Sequence, residues 1–420
     1  MSKARVVVAG GGFAGLECLF YLRHKLADQV DLTLVSERDF FSFKPNTIYI
    51  PFGEDPDKFR LPLSRPAARK NIELRLTSAR GVDAENRKLV LADGEVSYDF
   101  LVLATGATMR PEEVPGLASF ACTIWTPEEM LKLRHQLNEL VERAREGRNQ
   151  DVLFLVPPQN KCSGPLYELV MMTDTWLRRQ GVRERVQITW TTYESSFIQA
   201  FGPRLHTVVS DEFRERGVAG HTDLLVSEVT PDRVHFHCGS SHRFDLLVSF
   251  PPYAARQAFA GLPSDPRGFL RVEADSRRVR GQERIFAVGD ASDFPIKQAF
   301  LALLQGDAAA EHIVADIQGR KAEERVRFEP MSMCVMEEMN KATFAQVPLR
   351  YTADPERPVE VDVDDHEHYK VGVSPLWRPG KKLLGYYLPW RFGNGEPFHA
   401  GFAWDMMDLG LKVMSRVLAH

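Results

Sequence analysis

Five cysteines stand in this 420-residue chain: Cys18, Cys122, Cys162, Cys238 and Cys334. They are too scattered for a disulfide framework, and none sits in the C-x-x-C of a zinc knuckle or the C-x-x-C-H of a c-type haem. Cys162 has the most suggestive neighbours. It lies in PPQNKCSGPLYE (157–168), beside Lys161 and just before a predicted helix with Pro165 in its first turn. A helix N-terminus and an adjacent cation both favour thiolate over thiol, so this context predicts a reactive sulfur. A second chemical signal is Gly10, Gly12 and Gly15, a G-x-G-x-x-G loop with Phe13 and Ala14 in its variable positions. The first glycine permits a tight turn, the second lets the backbone approach a pyrophosphate, and the third lets helix and strand pack closely. Glu37 follows Gly15 by 22 residues, at the end of DLTLVSE, where a carboxylate accepts ribose hydroxyls.

These residues need elements to position them. The run RVVVA (5–9) reads as a strand buried on both faces, and a helix begins near Phe13. With the strand at 31–37 they form a βαβ unit, so the glycine loop predicts a dinucleotide site. Strand-like alternation returns at 87–91 and 98–104, and a polar helix is expected over 127–147. DVLFLV (151–156), a helix around 165–180 and VQITW (186–190) make a second βαβ unit. Short strands are expected over 269–290 and a helix around 298–318. Beyond Pro330 an acidic patch (360–368) leads to an aromatic, Gly/Pro-punctuated stretch (376–404) and a last helix, 402–418.

Two further strand ends narrow the cofactor. LVLATGAT (101–108) contains Ala104, Thr105 and Gly106, and RIFAVGDAS (284–292) contains Gly289 and Asp290. With the glycine loop they resemble the three ordered motifs of the two-dinucleotide-binding-domain flavoproteins. That resemblance covers roughly residues 1–120 and 270–320. It implies FAD, with Asp290 on the ribityl chain. Lys297, seven residues on, is a candidate partner for a quinone or flavin carbonyl. CSGPLYE (162–168) in turn resembles the C-x-G-P-x-Y-E segment of the sulfide:quinone oxidoreductases and the flavocytochrome c sulfide dehydrogenase flavoproteins. The resemblance implies a redox pair of Cys162 with Cys334, a third cysteine at Cys122, and Glu168 as a matched carboxylate. It also breaks in two places. Thr126 stands where many relatives have a histidine, and YESSFIQAFGPRL (193–205) lacks the histidine of the family's next loop. Cys18 and Cys238 match nothing and are expected to be structural.

The implied fold class is α/β, with two Rossmann-like domains of disulfide-reductase type and a C-terminal region carrying an amphipathic helix. The expected divisions are an FAD-binding domain at 1–121 and 269–329, a second Rossmann-like domain at 122–268, and a C-terminal redox-cysteine and membrane region at 330–420. In the second domain Gly164 is the only glycine of the loop, and Pro157 and Pro158 remove N–H donors that would cradle a pyrophosphate. NADH is therefore not the expected donor. The expected reaction is sulfide oxidation: hydrosulfide, or a related small sulfur species, attacks a Cys162–Cys334 bridge and electrons pass through FAD to quinone. The wide apolar face of 402–418 (Phe402, Met406, Met407, Leu409, Leu411, Val413, Met414, Val417, Leu418) is expected to lie on a membrane surface. Trp377, Tyr386, Tyr387, Trp390, Phe392 and Trp404 are the rings expected at headgroup depth. Residues 376–420 hold six Lys/Arg against three Asp/Glu, on a chain whose net charge is −4.

That overall charge argues against a nucleic-acid partner. No apolar run reaches the roughly 18–20 residues of a bilayer span, and the early strand leaves no room for a secretory signal. The expected location is thus a peripheral, monotopic one; a homo-oligomer is compatible. No metal site is expected, since His235, His237, Cys238 and His242 lack a second set of ligands. Three other readings share parts of the pattern. They are a sulfide dehydrogenase flavoprotein delivering electrons to a cytochrome c, a type II NADH:quinone dehydrogenase, and a non-catalytic flavin-binding redox sensor or scaffold.

Overall fold

The computed structural model describes residues 3–321 and 325–419. Val6, Val7 and Val8 are fully buried, as a central strand covered on both faces requires. Their strand, Ala4–Ala9, pairs in parallel with Val30–Ser36 and Phe100–Leu103. Glu73–Leu76 and Ile285–Ala287 complete a five-stranded parallel sheet at its two edges. The second sheet has the same design. Its order is Ala121–Thr123, Leu246–Ser249, Gln150–Val156, Val186–Thr192 and Val218–His221, again all parallel. Both sheets fit the two βαβ units read from the sequence.

Six helices matter for the site: α1 (Phe13–Leu26), α2 (Pro127–Arg145), α3 (Gly164–Arg179), α4 (Ala299–Gln318), α5 (Trp377–Gly393) and α6 (Phe402–Leu418). Their starts have local causes. Thr126 caps α2 in a reciprocal box: its Oγ1 accepts from the Glu129 N–H at 3.2 Å, and Glu129 accepts from the Thr126 N–H at 2.8 Å. Thr126 is therefore a helix cap. Between Phe269 and Ile285 the expected series of short strands is absent. That segment makes only isolated bridges, such as Leu270 to Ser292 and Val272 to Val279.

The C-terminal region departs most from expectation. Met331–Glu337, Ala342–Tyr351, Val359–Val361 and Lys370–Ser374 form an antiparallel sheet. The stretch after it, expected to be broken by Gly and Pro, is the continuous helix α5, with Pro389 inside it. Trp377 stacks on Phe344 with ring centroids 4.2 Å apart. Tyr387 and Phe392 are also buried, so these three rings face the core and not a headgroup layer. Only Tyr386 and Trp390 of the expected set are strongly exposed, and they fall in line with Leu383 on one face of α5. On α6 the apolar face is divided. Phe402 (78% exposed), Met406, Leu409, Val413 and Val417 (69%) form one outward stripe. Met407, Met414 and Leu418 pack inward, and Leu411 lines the internal cavity. Ser415 is buried as well. Among the described residues no helix is long and apolar enough to cross a membrane.

Candidate functional site

One cavity of about 500 Å³ runs from the glycine loop to the C-terminal helices. At its start two glycines are sterically obligatory. Gly10 has φ +125°, and a Cβ there would fall 2.1 Å from the Ala104 carbonyl oxygen. A Cβ on Gly15 would fall 2.0 Å from the Gly10 oxygen, so Gly15 sets the strand–helix approach and does not itself line the cavity. Gly12 is different. A Cβ there would meet nothing within 4 Å, because the position faces open space. Gly12 also caps α1 without a side-chain bond to the first turn, which leaves helix N–H groups for an anion. Phe13 and Ala14 line the same wall. Glu37 lies just past its strand and accepts from Arg256 Nη2 at 2.6 Å.

The strand ends at Ala104–Gly106 and Gly289–Asp290 line the cavity beside the glycine loop, with Ala104 against Gly10 and Gly289 against Ala14. The Oγ1 of Thr105 and the Oγ of Ser42 are buried without a hydrogen-bond partner, beside this space. Unpartnered buried hydroxyls mark a place for an absent polar ligand. Together with the open cradle at Gly12, they fit a bound dinucleotide. The Asp290 carboxyl is pushed up by burial, with Lys297 and Lys44 pulling it back. Lys297 donates to the Ser292 carbonyl oxygen, and its Nζ lies 3.9 Å from the Phe269 ring centre. Burial lowers it to about 8, opposed by Asp290. Lys44, which the sequence did not flag, rests its Nζ 2.9 Å from the Trp125 ring centre, and burial lowers it to about 7.

Two cysteines line the middle of the cavity. Cys162 ends the loop after the Gln150–Val156 strand, immediately before α3, and Cys334 lies on the Met331–Glu337 strand. All five cysteines are free thiols. The expected ease of ionisation at Cys162 is not found. Burial pushes its thiol up, reinforced by Cys334 and Asp290, against a weaker lowering by the Gly164 N–H at the helix start. The helix end does touch the sulfur, but desolvation outweighs it. Lys161 is half-buried, and the charges that act on it are Asp265 and Arg267. Cys334 is pushed up to about 12 by burial and by Glu168, and Lys381 pulls it down.

Glu168 and Lys381 form a buried ion pair beside Cys334, with side chains 7% and 8% exposed. Glu168 also accepts from the Glu337 N–H at 2.6 Å. Burial raises its carboxyl, and Lys381 is the main opposing influence. Lys381 has no sequence signal, because it is one lysine of the KK pair at 381–382 in a stretch expected to be irregular. Cys122 does not join this group. It lies buried on the edge strand Ala121–Thr123, opposite Val248, outside the cavity lining. Cys18 is buried in α1 and Cys238 is exposed in a turn.

The loop at 193–205 supplies a buried acid. Glu194 accepts from Thr192 Oγ1 at 3.0 Å, the Gln199 N–H at 3.2 Å and Ser163 Oγ at 3.4 Å. Burial raises it to about 7. His206, one residue beyond that loop, accepts from the Phe197 N–H through Nδ1 at 3.0 Å. Of the four residues weighed as a metal cluster, His242 stacks on His221 and His235 sits 3.4 Å from Thr230 Oγ1.

Residues 4–150 match the family model described as pyridine nucleotide-disulphide oxidoreductase. The sulfide-quinone reductase of Aquifex aeolicus is 29% identical over 251 residues, covering 58% of this chain and 56% of that protein. The mitochondrial external alternative NAD(P)H-ubiquinone oxidoreductase B4 of Arabidopsis thaliana is 25% identical over 69% of this chain and 54% of its own length. The chain thus spans about half the length of these two relatives. In three dimensions it resembles the sulfide:quinone oxidoreductase structure from A. aeolicus, with TM-score 0.84 and 22% identity over 98% of this chain and 96% of that one. Residues 4–150 are thus similar to the pyridine nucleotide-disulphide oxidoreductases, and the chain as a whole has the fold of the sulfide:quinone oxidoreductase structure.

Proposed function

We propose that this protein oxidises sulfide through Cys162 and Cys334, with FAD as resident cofactor and a quinone as electron acceptor. The carrying observation is that two cysteines 172 positions apart line one cavity together with the glycine loop and the Glu168–Lys381 pair. Gly10, Gly12, Phe13 and Ala14 would hold the pyrophosphate, Glu37 the adenosine ribose, and Thr105 and Asp290 the ribityl side. When bound, FAD supplies a two-electron acceptor to the sulfur pair. The remaining chemistry belongs to the chain. In its oxidised form the pair is a disulfide. Hydrosulfide attacks Cys162, the S–S bond breaks, Cys162 becomes a persulfide and Cys334 leaves as thiolate. Lys381 stabilises the anion released on Cys334, while Glu168 takes the proton of the incoming hydrosulfide. Removal of two electrons rejoins Cys334 to the sulfur on Cys162, and a further hydrosulfide lengthens the chain until zero-valent sulfur leaves.

The outward stripes of α5 and α6 support a peripheral membrane location. Of eighteen strongly exposed large apolar side chains among the described residues, nine lie between Leu376 and Val417. Concentrated in a tenth of the chain, they suit shallow burial in a lipid interface. Leu411 and Trp404 join this region to the cavity, giving a lipid-borne quinone a route in. The rival reading, a type II NADH dehydrogenase, has the Arabidopsis match in its favour. Anaerobic titration separates the two. Sulfide should bleach the flavin absorbance and NADH should not, and the bleaching should vanish in Cys162→Ser and Cys334→Ser. Bleaching by NADH alone, or normal bleaching in both variants, rejects the proposal.

A further inference from the structure

Behind the cavity wall lies a group of side chains that the proposed chemistry does not use. Glu17 of α1, Asp307 of α4 and His399 of the segment joining α5 to α6 bring a ligating atom each within 4.8 Å of the other two. His399 Nδ1 lies 2.5 Å from Asp307 Oδ2 and 3.9 Å from Glu17 Oε1. Glu17 is completely buried, and its oxygens also accept the Phe398 and His399 N–H groups at 2.6 and 3.0 Å. Two polar atoms of the group, Asp307 Oδ1 and His399 Nε2, are buried with no partner.

Two carboxyl groups facing each other out of water need protons or another positive charge to compensate them. Among the described residues no lysine or arginine pairs with either. Lys25 and Arg320 pair instead with Glu311, one turn farther along α4. A single divalent cation would neutralise both carboxylates at once. Two carboxylate oxygens and one imidazole nitrogen are donors that suit a first-row divalent ion. Ligand bonds of about 2.0–2.2 Å place neighbouring donors roughly 3–3.5 Å apart, so the site needs only a small opening of the Asp307–His399 contact.

We propose that Glu17, Asp307 and His399 bind one divalent first-row metal ion that pins the 394–401 segment to α1 and α4. The ion takes the place of the proton shared by Asp307 and His399. Two coordination bonds replace that hydrogen bond, and the proton passes to solvent. No electron transfer is involved, and the inference stands independently of the sulfide reading. Its structural consequence is a latch. Phe398 and Trp404 pack their rings 4.7 and 4.6 Å from His399 and also line the cavity, so the ion would fix the wall from which α6 departs.

Mn²⁺ is the probe of choice, because it prefers oxygen and nitrogen donors and leaves the cavity thiols alone. Flavin-loaded protein, freed of metal with a chelator, is titrated with Mn²⁺ while the free-ion resonance signal is followed. One ion should bind per chain with micromolar or tighter affinity, about one proton should be released, and the thermal midpoint should rise. His399→Ala retains every backbone contact made by Glu17 and should weaken binding at least 100-fold, with the flavin spectrum unchanged. Glu17→Gln should do the same; if it loses flavin, the His399 variant alone decides. Absence of a one-to-one site below 100 μM overturns the proposal. So does equal affinity in the parent and His399→Ala, which would assign the ion to the exposed acidic loop at 360–368.

Discussion

Replacing Lys381 by methionine isolates the electrostatic design of the sulfur site. Methionine keeps most of the stem's volume and removes the charge. Glu168 would then be buried 7% exposed with one remaining donor, the Glu337 N–H at 2.6 Å. Removing one partner of a buried pair costs about 3–5 kcal/mol when the other stays charged. Glu168 can reduce that cost by taking a proton, and its carboxyl is already raised by burial. We therefore expect a loss near the lower figure, about 3 kcal/mol, read as a lower urea midpoint at pH 7.5. The same change acts on chemistry. Lys381 is the group that pulls Cys334 down from its desolvated value, and each unit of further rise means tenfold less thiolate. Sulfide-driven flavin reduction should slow by at least 10-fold. The double variant Glu168→Gln/Lys381→Met removes both charges and should recover most of the stability. It should not recover the rate, because the acceptor for the incoming proton is gone. A Lys381→Met protein as stable as its parent would refute the ion-pair argument, and a double variant that reduces flavin at the parental rate would refute the role of Glu168.

Other outcomes follow from the same geometry. Burial holds Glu194 at about 7 in the folded chain, so the folded state keeps a proton that the unfolded chain has lost above roughly pH 4.3. That contribution is full below the unfolded value and disappears as pH rises through 7; Glu194→Gln should remove about 3 kcal/mol of the stability difference between pH 4 and 8, measured by urea unfolding. Cys122 sits buried on an edge strand outside the cavity lining, so Cys122→Ala should bleach with sulfide within about twofold of the parent rate, at a stability cost of about 1 kcal/mol. Phe402 and Val413 belong to the outward stripe, and each exposed apolar side chain inserted into lipid is worth about 1.5–3 kcal/mol. Phe402→Glu/Val413→Glu should thus bind phospholipid vesicles at least 100-fold more weakly in a sedimentation assay, with flavin content unchanged.

The parts of the site that are legible in the sequence are those dictated by backbone geometry. Gly10 and Gly15 leave no room for a Cβ, so their spacing between a valine-rich strand and an apolar helix carries the loop, α1 and the first sheet. Thr126 and Glu129 write the start of α2 in the same local way. What is hidden depends on tertiary contact. Proline and glycine at 379, 380, 385 and 389 obscure α5, yet the buried Trp377, Tyr387 and Phe392 hold it against the rest of the chain. With α5 goes Lys381, whose role exists only because α3 delivers Glu168 to the same spot. Likewise Glu17, Asp307 and His399 are separated by 290 and 92 positions and carry no common motif.

The behaviour of Cys162 shows why proximity to a helix end was an incomplete guide. A helix N-terminus offers a fraction of a charge, up to about 2 kcal/mol in partly buried settings, whereas full burial of an anion moves a pKa by as much as 3–5 units. The same desolvation lowers Lys44 to about 7 and Lys297 to about 8 while raising Glu194 to about 7. Acids and bases in and beside the cavity are thereby brought to one range, where a proton moves between them at little cost. Sulfur chemistry in such a place is governed less by the helix behind Cys162 than by the charges that accompany the sulfurs into the dry interior, Lys381 and Glu168 first among them.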